Sequence, residues 1–196
     1  MFDIIFKIVQ FAIAVTFVVF ISDFRKKSGM IPLVNEKITK LLKLSYLFPL
    51  VIFSYSLLIM KTVTSFDVLA LTLTSLGTFT ATKAKLDLGI CHTWTGYCKD
   101  SSFLKVDGIY AYIRHPLYTG IYLFIIGGLM TVITHAPWYI TTVALAMIAF
   151  IMTFLSISSV KETAHLRNQL GEEFKNYQEQ VHPFLPVKRY VPKIPA

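Results

Sequence analysis

Charged side chains are scarce in this sequence. Of its 196 residues only 15% are charged, whereas 55% are hydrophobic, and the mean hydropathy is +0.61. Soluble proteins carry about a quarter of charged residues. The apolar residues here also fall into long blocks and do not alternate with polar ones, as amphipathic elements would require. The scarcity of charge therefore argues against a soluble domain and predicts a lipid environment.

Cysteine is almost absent. Cys91 and Cys98 lie in one segment beside His92. A structural zinc site takes four ligands, usually from more closely spaced pairs. We therefore expect two reduced thiols in a loop and no metal.

The apolar blocks themselves contain almost no charged residues. Lys61 and Asp67 lie only near the ends of such blocks. Transporters and proton relays place ionisable groups inside their spans, and many contain internal repeats. No such repeat is visible in this sequence. A transporter is therefore disfavoured, and any chemistry is expected at the ends of the spans.

Five uncharged runs approach the roughly 20 residues that cross a bilayer core of about 30 Å. They are residues 4–21, 44–60, 68–82, 117–133 and 138–160. Lys7 interrupts the first run near its end, where its side chain can extend to the interface. Asp3 precedes this run and no basic segment does, so we expect a retained anchor and not a cleaved signal peptide.

The basic residues predict the orientation. All of the 19 lysines and arginines except Lys7 and Lys61 follow the first, third or fifth run. Basic loops stay on the cytoplasmic side. We therefore predict an all-α, multi-pass membrane protein with five spans, an outside N-terminus and a cytosolic C-terminus, without indication of which membrane. The net charge of +8 suits anionic lipid headgroups, and we expect no nucleic-acid partner because no basic soluble module is present.

The last two runs are joined by only four residues, 134–137. So short a turn makes them antiparallel neighbours. Arg114 and His115 precede the first of the two, and Glu162 follows the second. The hairpin therefore predicts that these three side chains lie at the same depth.

Residues 108–120 read Gly-Ile-Tyr-Ala-Tyr-Ile-Arg-His-Pro-Leu-Tyr-Thr-Gly. Pro116 suits the first turn of a helix, where no amide donor is needed. Taken alone, the stretch fits a proline-started span with an interfacial belt of arginine and tyrosine. Its spacing relative to other short motifs makes it more informative than that.

Those other motifs are Leu88-Gly89, Glu162 after the last run, Gly171 with Phe174 and Tyr177, and the closing Pro-Phe-Leu-Pro of residues 183–186. In this order, over roughly residues 83–186, the chain resembles the superfamily of isoprenylcysteine carboxyl methyltransferases and phospholipid methyltransferases. The resemblance implies S-adenosylmethionine as methyl donor and a lipophilic acceptor from the bilayer. The apolar runs place three N-terminal spans in residues 1–82, and the resemblance implies a methyltransferase core in residues 83–196.

The resemblance further implies functional residues. Glu162 would hold the ammonium group of the cofactor, and Arg114 would orient an anionic acceptor or the cofactor carboxylate; both are candidate catalytic residues. The cofactor pocket would be formed by Ser102, Phe103, Leu104, Lys105, Tyr110, His115, Pro116, Leu117, Tyr118 and Glu162.

Two positions depart from the pattern of the carboxyl methyltransferases. Ser158 stands where they carry arginine, and Thr163 replaces the second acid of a pair. An arginine would suit a carboxylate acceptor, so its absence weakens the case for O-methylation of a prenylcysteine-type carboxylate. A phospholipid or another lipid stays open as acceptor. A non-catalytic membrane scaffold and a small transporter are the alternatives from other classes.

The tail carries apolar residues at helical spacing: Leu166, Leu170, Phe174, Tyr177 and Val181. This spacing predicts an amphipathic helix along the membrane surface, which could cover the cofactor or simply pack there. Gly171 lies inside it and disfavours one continuous helix.

Overall fold

The computed structural model describes residues 1–21, 30–45, 47–89, 97–99 and 104–187, and it confirms the predicted all-α class. The helices are α1 (Phe2–Ile21), α2 (Glu36–Ser45), α3 (Leu47–Ile59), α4 (Ser65–Leu88), α5 (Pro116–His135), α6 (Trp138–Leu170) and α7 (Glu172–Gln180). A 3₁₀ helix covers Gly108–Ala111, and β1 (Met30–Pro32) pairs with β2 (Tyr97–Lys99) in a short antiparallel ribbon.

Three described helices, α1, α5 and α6, are long and apolar enough to cross a membrane. With 33 residues, α6 is about 50 Å long at 1.5 Å per residue and extends beyond a bilayer core. The predicted run 44–60 corresponds mainly to α3, which is apolar but shorter, and the run 68–82 lies within α4. The chain is therefore a membrane protein, but the predicted number of five spans is not confirmed.

Local sequence signals explain where the helices begin and end. Pro116 is the first residue of α5, as predicted. Thr64 caps α4 in a capping box with Asp67, which satisfies two amide groups that the first turn cannot pair. At the end of α6, Gly171 adopts a positive φ of 54°, which residues with a Cβ avoid, and the chain turns into α7.

The antiparallel hairpin is formed as predicted. Helix α5 ends at His135 and α6 starts at Trp138, so two residues connect them. The main apolar core lies around this hairpin and is completed by α1, α2 and α4. Its buried residues are Phe17, Leu42, Ala81, Tyr118, Ile121, Ile125, Ile148, Ile151, Phe154 and Leu155. A second cluster joins α1 to α3 through Phe6, Ala14, Phe53, Leu57 and Met60.

Helices α4 and α5 pack against each other through glycine. A Cβ placed on Gly120 would lie 2.7 Å from the carbonyl oxygen of Gly77, and one on Gly127 would lie 2.7 Å from that of Ala70. Such distances are far below van der Waals contact. The two backbones are therefore in direct contact, as is common where small residues line membrane helices.

Polar contacts tie the helices together at the end of α5 that lies away from Pro116. Lys7 donates to the Met60 carbonyl at 2.6 Å, so its amine is bound within the protein. His135 lies 2.9 Å from the buried carboxylate of Asp67, which links the last turn of α5 to the first turn of α4. These contacts stabilise the end of the bundle around His135. The motif residues lie at the opposite end, around Pro116.

Candidate functional site

The start of α5 meets α6 through contacts of a histidine ring, hydroxyl groups and a carboxylate.

 The Tyr118 hydroxyl donates a short hydrogen bond to the Glu162 carboxylate. The Nε2 atom of His115 lies 3.1 Å from the Thr163 hydroxyl, and its Nδ1 atom lies 3.6 Å from Glu162. The hairpin therefore brings His115 and Tyr118 together with Glu162 at the depth that its topology predicts.

A further contact continues this row along the two helices. One turn beyond Tyr118, the Tyr122 hydroxyl lies 3.0 Å from the Ser156 hydroxyl of α6. Residues three and four apart share a helix face, so positions 115, 118 and 122 all face α6. This end of the hairpin is consequently held by polar contacts, whereas the remainder of α5 and α6 packs through apolar side chains.

The imidazole of His115 is neutral in this environment. Its residue is only 9% exposed, and burial lowers the pKa of His115 to about 4, with Arg114 acting in the same direction. A protonated ring is therefore not expected at neutral pH, and the approach of His115 to Glu162 is not an ion pair. The ring stacks instead on Tyr118, with 5.6 Å between the centroids.

Glu162 has no basic partner in the ranges that the structure describes. Its side chain is 21% exposed and receives the hydroxyl of Tyr118. A largely enclosed carboxylate without a cation is costly, because it loses hydration without gaining a charge pair. The site is therefore suited to a ligand that carries a positive charge.

The chain segment after α7 returns to this site through its backbone. The amide of Arg114 donates to the His182 carbonyl at 3.0 Å, and the amide of His115 donates to the Pro183 carbonyl at 2.9 Å. Ile113 and His182 form an isolated parallel bridge. Main-chain hydrogen bonds thus hold the tail against the residues that precede α5.

Arg114 takes part in the same docking with its side chain. Its Nε atom donates to the Val181 carbonyl at 2.8 Å. This contact gives the guanidinium group a part in positioning the tail. The predicted role of Arg114 in orienting an acceptor or the cofactor carboxylate stays a prediction.

Helix α7 packs as its amphipathic pattern predicts. Phe174 and Val181 are buried, and the Tyr177 hydroxyl donates to the Tyr110 carbonyl at 2.6 Å. Gly171 separates α7 from α6, so the tail is two helices and not one. The apolar face of α7 is thereby directed at the segment that leads into α5.

Replacing Tyr177 by Phe should loosen the tail. The substitution removes the hydrogen bond to Tyr110 and leaves that carbonyl without its partner, which costs about 1 kcal/mol. We expect faster cleavage of residues 172–187 in limited proteolysis in detergent. Tyr139→Phe is the matched control, because Tyr139 is exposed. Equal cleavage of the two variants would contradict this role of Tyr177.

The remaining predicted pocket residues surround this junction to different degrees. Tyr110 is buried with its hydroxyl 3.4 Å from the Ala84 carbonyl, and burial raises its pKa, with Glu162 acting in the same direction. Pro116 is fully buried, and Leu117 packs against the main core. The phenol of Tyr110 therefore stays protonated beside the site.

The predicted loop contacts are only partly visible. Leu104 is half-buried, and Lys105 pairs with Asp107 at 2.8 Å. Ser102 and Phe103 lie outside the described residues, as do Cys91 and His92. The predicted loop position is wrong for Cys98, which belongs to β2. The predicted contact of this loop with a cofactor stays a prediction.

Sequence reasoning did not identify three residues that shape the site. Thr163, noted only as a departure from a family pattern, is hydrogen-bonded to His115. Phe184 places its ring 5.8 Å from that of His115. Asp87 accepts the amide of Ile109 at 2.9 Å and so fixes the 3₁₀ helix. Only Phe184 had a signal, its place in the closing Pro-Phe-Leu-Pro motif.

Two comparisons with known proteins indicate the family of the chain. A family model described as phospholipid methyltransferase matches residues 65–173, which contain α4 to α6. The chain is also 29% identical over 84 residues to the protein-S-isoprenylcysteine O-methyltransferase of Schizosaccharomyces pombe. That alignment covers 43% of this chain and 33% of the yeast protein, so the chain matches about a third of its relative's length. Because the family match spans more than half of the residues, the chain belongs to the phospholipid methyltransferase family.

Proposed function

We propose that this protein transfers a methyl group from S-adenosylmethionine to a lipophilic acceptor that reaches the site from the membrane. The observation that carries the proposal is the enclosed carboxylate of Glu162, which lies against Tyr118 and His115 without a basic partner in the described ranges. The family match to residues 65–173, which include all three residues, supports the same conclusion.

The residues present fit the methyl donor chemically. When bound, S-adenosylmethionine supplies a methyl group on a sulfonium, which a nucleophile takes while the carbon–sulfur bond breaks and its electron pair stays on sulfur. Glu162 offers a carboxylate to the ammonium group, and the faces of Tyr110 and Tyr118 suit a cation. His115 adds a neutral ring, so it does not repel positive charge. Positioning by such groups can lower the activation barrier by several kcal/mol.

An apolar cleft between α1, α3, α5 and α6 supports a lipophilic acceptor. It is lined by Phe17, Ile21, Leu50, Ile121, Phe124 and Ile151. Ile121 belongs to the same core cluster as Tyr118 and lies one turn further along α5. We propose that a hydrocarbon chain of the acceptor occupies this cleft with its polar end towards Glu162.

The acceptor class is proposed in two forms. The curated relative is named for isoprenylcysteine, and O-methylation of a prenylcysteine-type carboxylate is the first form. Ser158 and Thr163 supply no positive charge for a carboxylate, and this favours the second form, N- or O-methylation of a phospholipid or another lipid. We further propose that the site faces the cytosol, as the distribution of basic residues predicts, and that residues 83–196 form the catalytic core.

The test is isothermal calorimetry with S-adenosylmethionine on protein purified in detergent. We expect binding, and at least tenfold weaker binding by His115→Ala, because that ring packs on Tyr118 and contacts Glu162. Asn168→Ala, an exposed change on α6, serves as control. A folded wild-type protein that binds no cofactor would overturn the proposal in favour of a scaffold. Solute flux in liposomes without cofactor would instead favour a transporter.

A screen then identifies the acceptor. Radiolabelled cofactor is offered with a prenylcysteine, with an amino-phospholipid and with a quinol-type lipid in separate vesicles. Transfer of label to one of them names the class. Binding of the cofactor without transfer to any lipid tested would leave a cofactor-binding protein, and this result would count against the proposed transfer.

A further inference from the structure

Two buried polar atoms of α6 have no hydrogen-bond partner among the described residues. They are the hydroxyl of Ser158 and the Nε2 atom of His165. Buried polar groups are paired in the great majority of cases, so each exception calls for a physical reason. A bound ligand is one such reason, because it completes contacts that the protein alone leaves open.

Both atoms belong to the helix face that carries Glu162. Ser158 precedes Glu162 by four residues and His165 follows it by three, which are the spacings of neighbours on one face. Over seven residues this row extends about 10 Å along the helix. Ser158 is fully buried within the bundle, whereas His165 lies towards α7. The carboxylate of Glu162 thus lies between two polar groups that lack partners.

The pairing of Glu162 with His165 matches the two charges of an α-amino acid. Residues three apart on a helix have Cβ atoms about 5–6 Å from each other. An amino acid carries its ammonium and its carboxylate on one carbon, close enough for both to be reached from such a pair. Glu162 suits the ammonium by charge, and an imidazole N–H suits the carboxylate as a hydrogen-bond donor.

We propose that His165 binds the carboxylate of the methyl donor's amino-acid end while Glu162 binds its ammonium group. This inference rests on the proposed function, and it assigns the cofactor carboxylate to a residue of α6. Arg114, the alternative donor, directs its Nε atom to the tail carbonyl of Val181.

The test compares two ligands that differ only in the carboxylate. Calorimetry measures the affinity for S-adenosylmethionine and for decarboxylated S-adenosylmethionine. A hydrogen bond to a charged group corresponds to roughly 10- to 100-fold in affinity. We expect His165→Ala to lose about that factor for S-adenosylmethionine and to bind the decarboxylated ligand like the wild type. His165→Gln, which keeps an N–H donor, should recover part of the loss.

Ser158→Ala is the matched control, because it removes the other unpartnered atom of the same helix face. It should leave the ratio of the two affinities unchanged. An unchanged ratio in His165→Ala would overturn the assignment. A changed ratio in Ser158→Ala alone would overturn it in favour of the hydroxyl.

Failure of this inference can be told apart from failure of the proposed function. If the wild type binds neither ligand, the proposed function itself fails. If the wild type binds both ligands and only the effect of His165→Ala is missing, the proposed function stands. In that case His165 does not bind the cofactor carboxylate. Thermal unfolding of each variant in detergent checks that the protein stays folded, and Ser158→Ala should not be destabilising since it removes an unpaired hydroxyl.

Discussion

Glu162→Gln should lower the affinity for S-adenosylmethionine by about 30-fold or more. The amide keeps the size of the side chain and can still accept the hydroxyl of Tyr118, so the fold should persist. What it loses is the negative charge. Removing one member of an enclosed, hydrogen-bonded charge pair costs about 2–5 kcal/mol, and every 1.4 kcal/mol is tenfold in affinity. Calorimetry in detergent at neutral pH measures the effect directly.

Two controls make this result specific. Glu172→Gln removes the same charge from α7, where the side chain is exposed and only 3.4 Å from Lys175, and it should leave affinity unchanged. Tyr118→Phe keeps the carboxylate but removes its hydroxyl donor, so we expect a smaller loss than in Glu162→Gln. Wild-type affinity in a folded Glu162→Gln protein would show that the ligand's cation is bound elsewhere.

Gly127→Ala should destabilise the helix pair α4 and α5 by about 1–3 kcal/mol, the usual cost of overpacking. The added methyl group would lie 2.7 Å from the Ala70 carbonyl oxygen and 2.9 Å from Thr74, so the helices must separate. For a chain of this size the unfolding midpoint should fall by roughly 2–12 °C. Thermal unfolding in detergent, followed by circular dichroism, measures the shift.

The next residue along α5 provides the control. A Cβ on Gly128 would meet its nearest atom, in the Phe53 ring, at 3.7 Å, which is ordinary contact. Alanine also favours a helix over glycine by up to about 1 kcal/mol, so Gly128→Ala should be neutral or stabilising. Equal midpoints for the two variants would show that the α4–α5 contact does not limit the stability of the bundle.

Much of the fold was predictable because its signals are local. Apolar runs located α1, α5 and α6 within a few residues, apart from the extension of α6 to Leu170. Pro116 marked the start of α5, and Gly171 marked the break before α7. The run 44–60 was less informative, since apolarity alone does not reveal that the chain forms two helices, α2 and α3, around its start.

The arrangement of the site was predictable only where the hairpin topology determines it. The hairpin turn placed His115 and Glu162 at one depth before any contact was known. The return of the tail to Arg114 and His115 had no comparable signal, because main-chain hydrogen bonds leave no pattern in the side chains. The unpartnered atom of His165 was equally invisible, since a histidine in a helix is found in many environments.

The same backbone docking has a consequence for how the protein is divided into fragments. The family model matches the chain up to residue 173, but Tyr177 and residues 181–184 complete the wall beside His115. Carbonyl groups make most of these contacts, so their sequence can drift while the shape is kept. The matched region and the folded unit therefore end at different residues, and we expect that an expression fragment needs Tyr177 and residues 181–184 to keep these contacts.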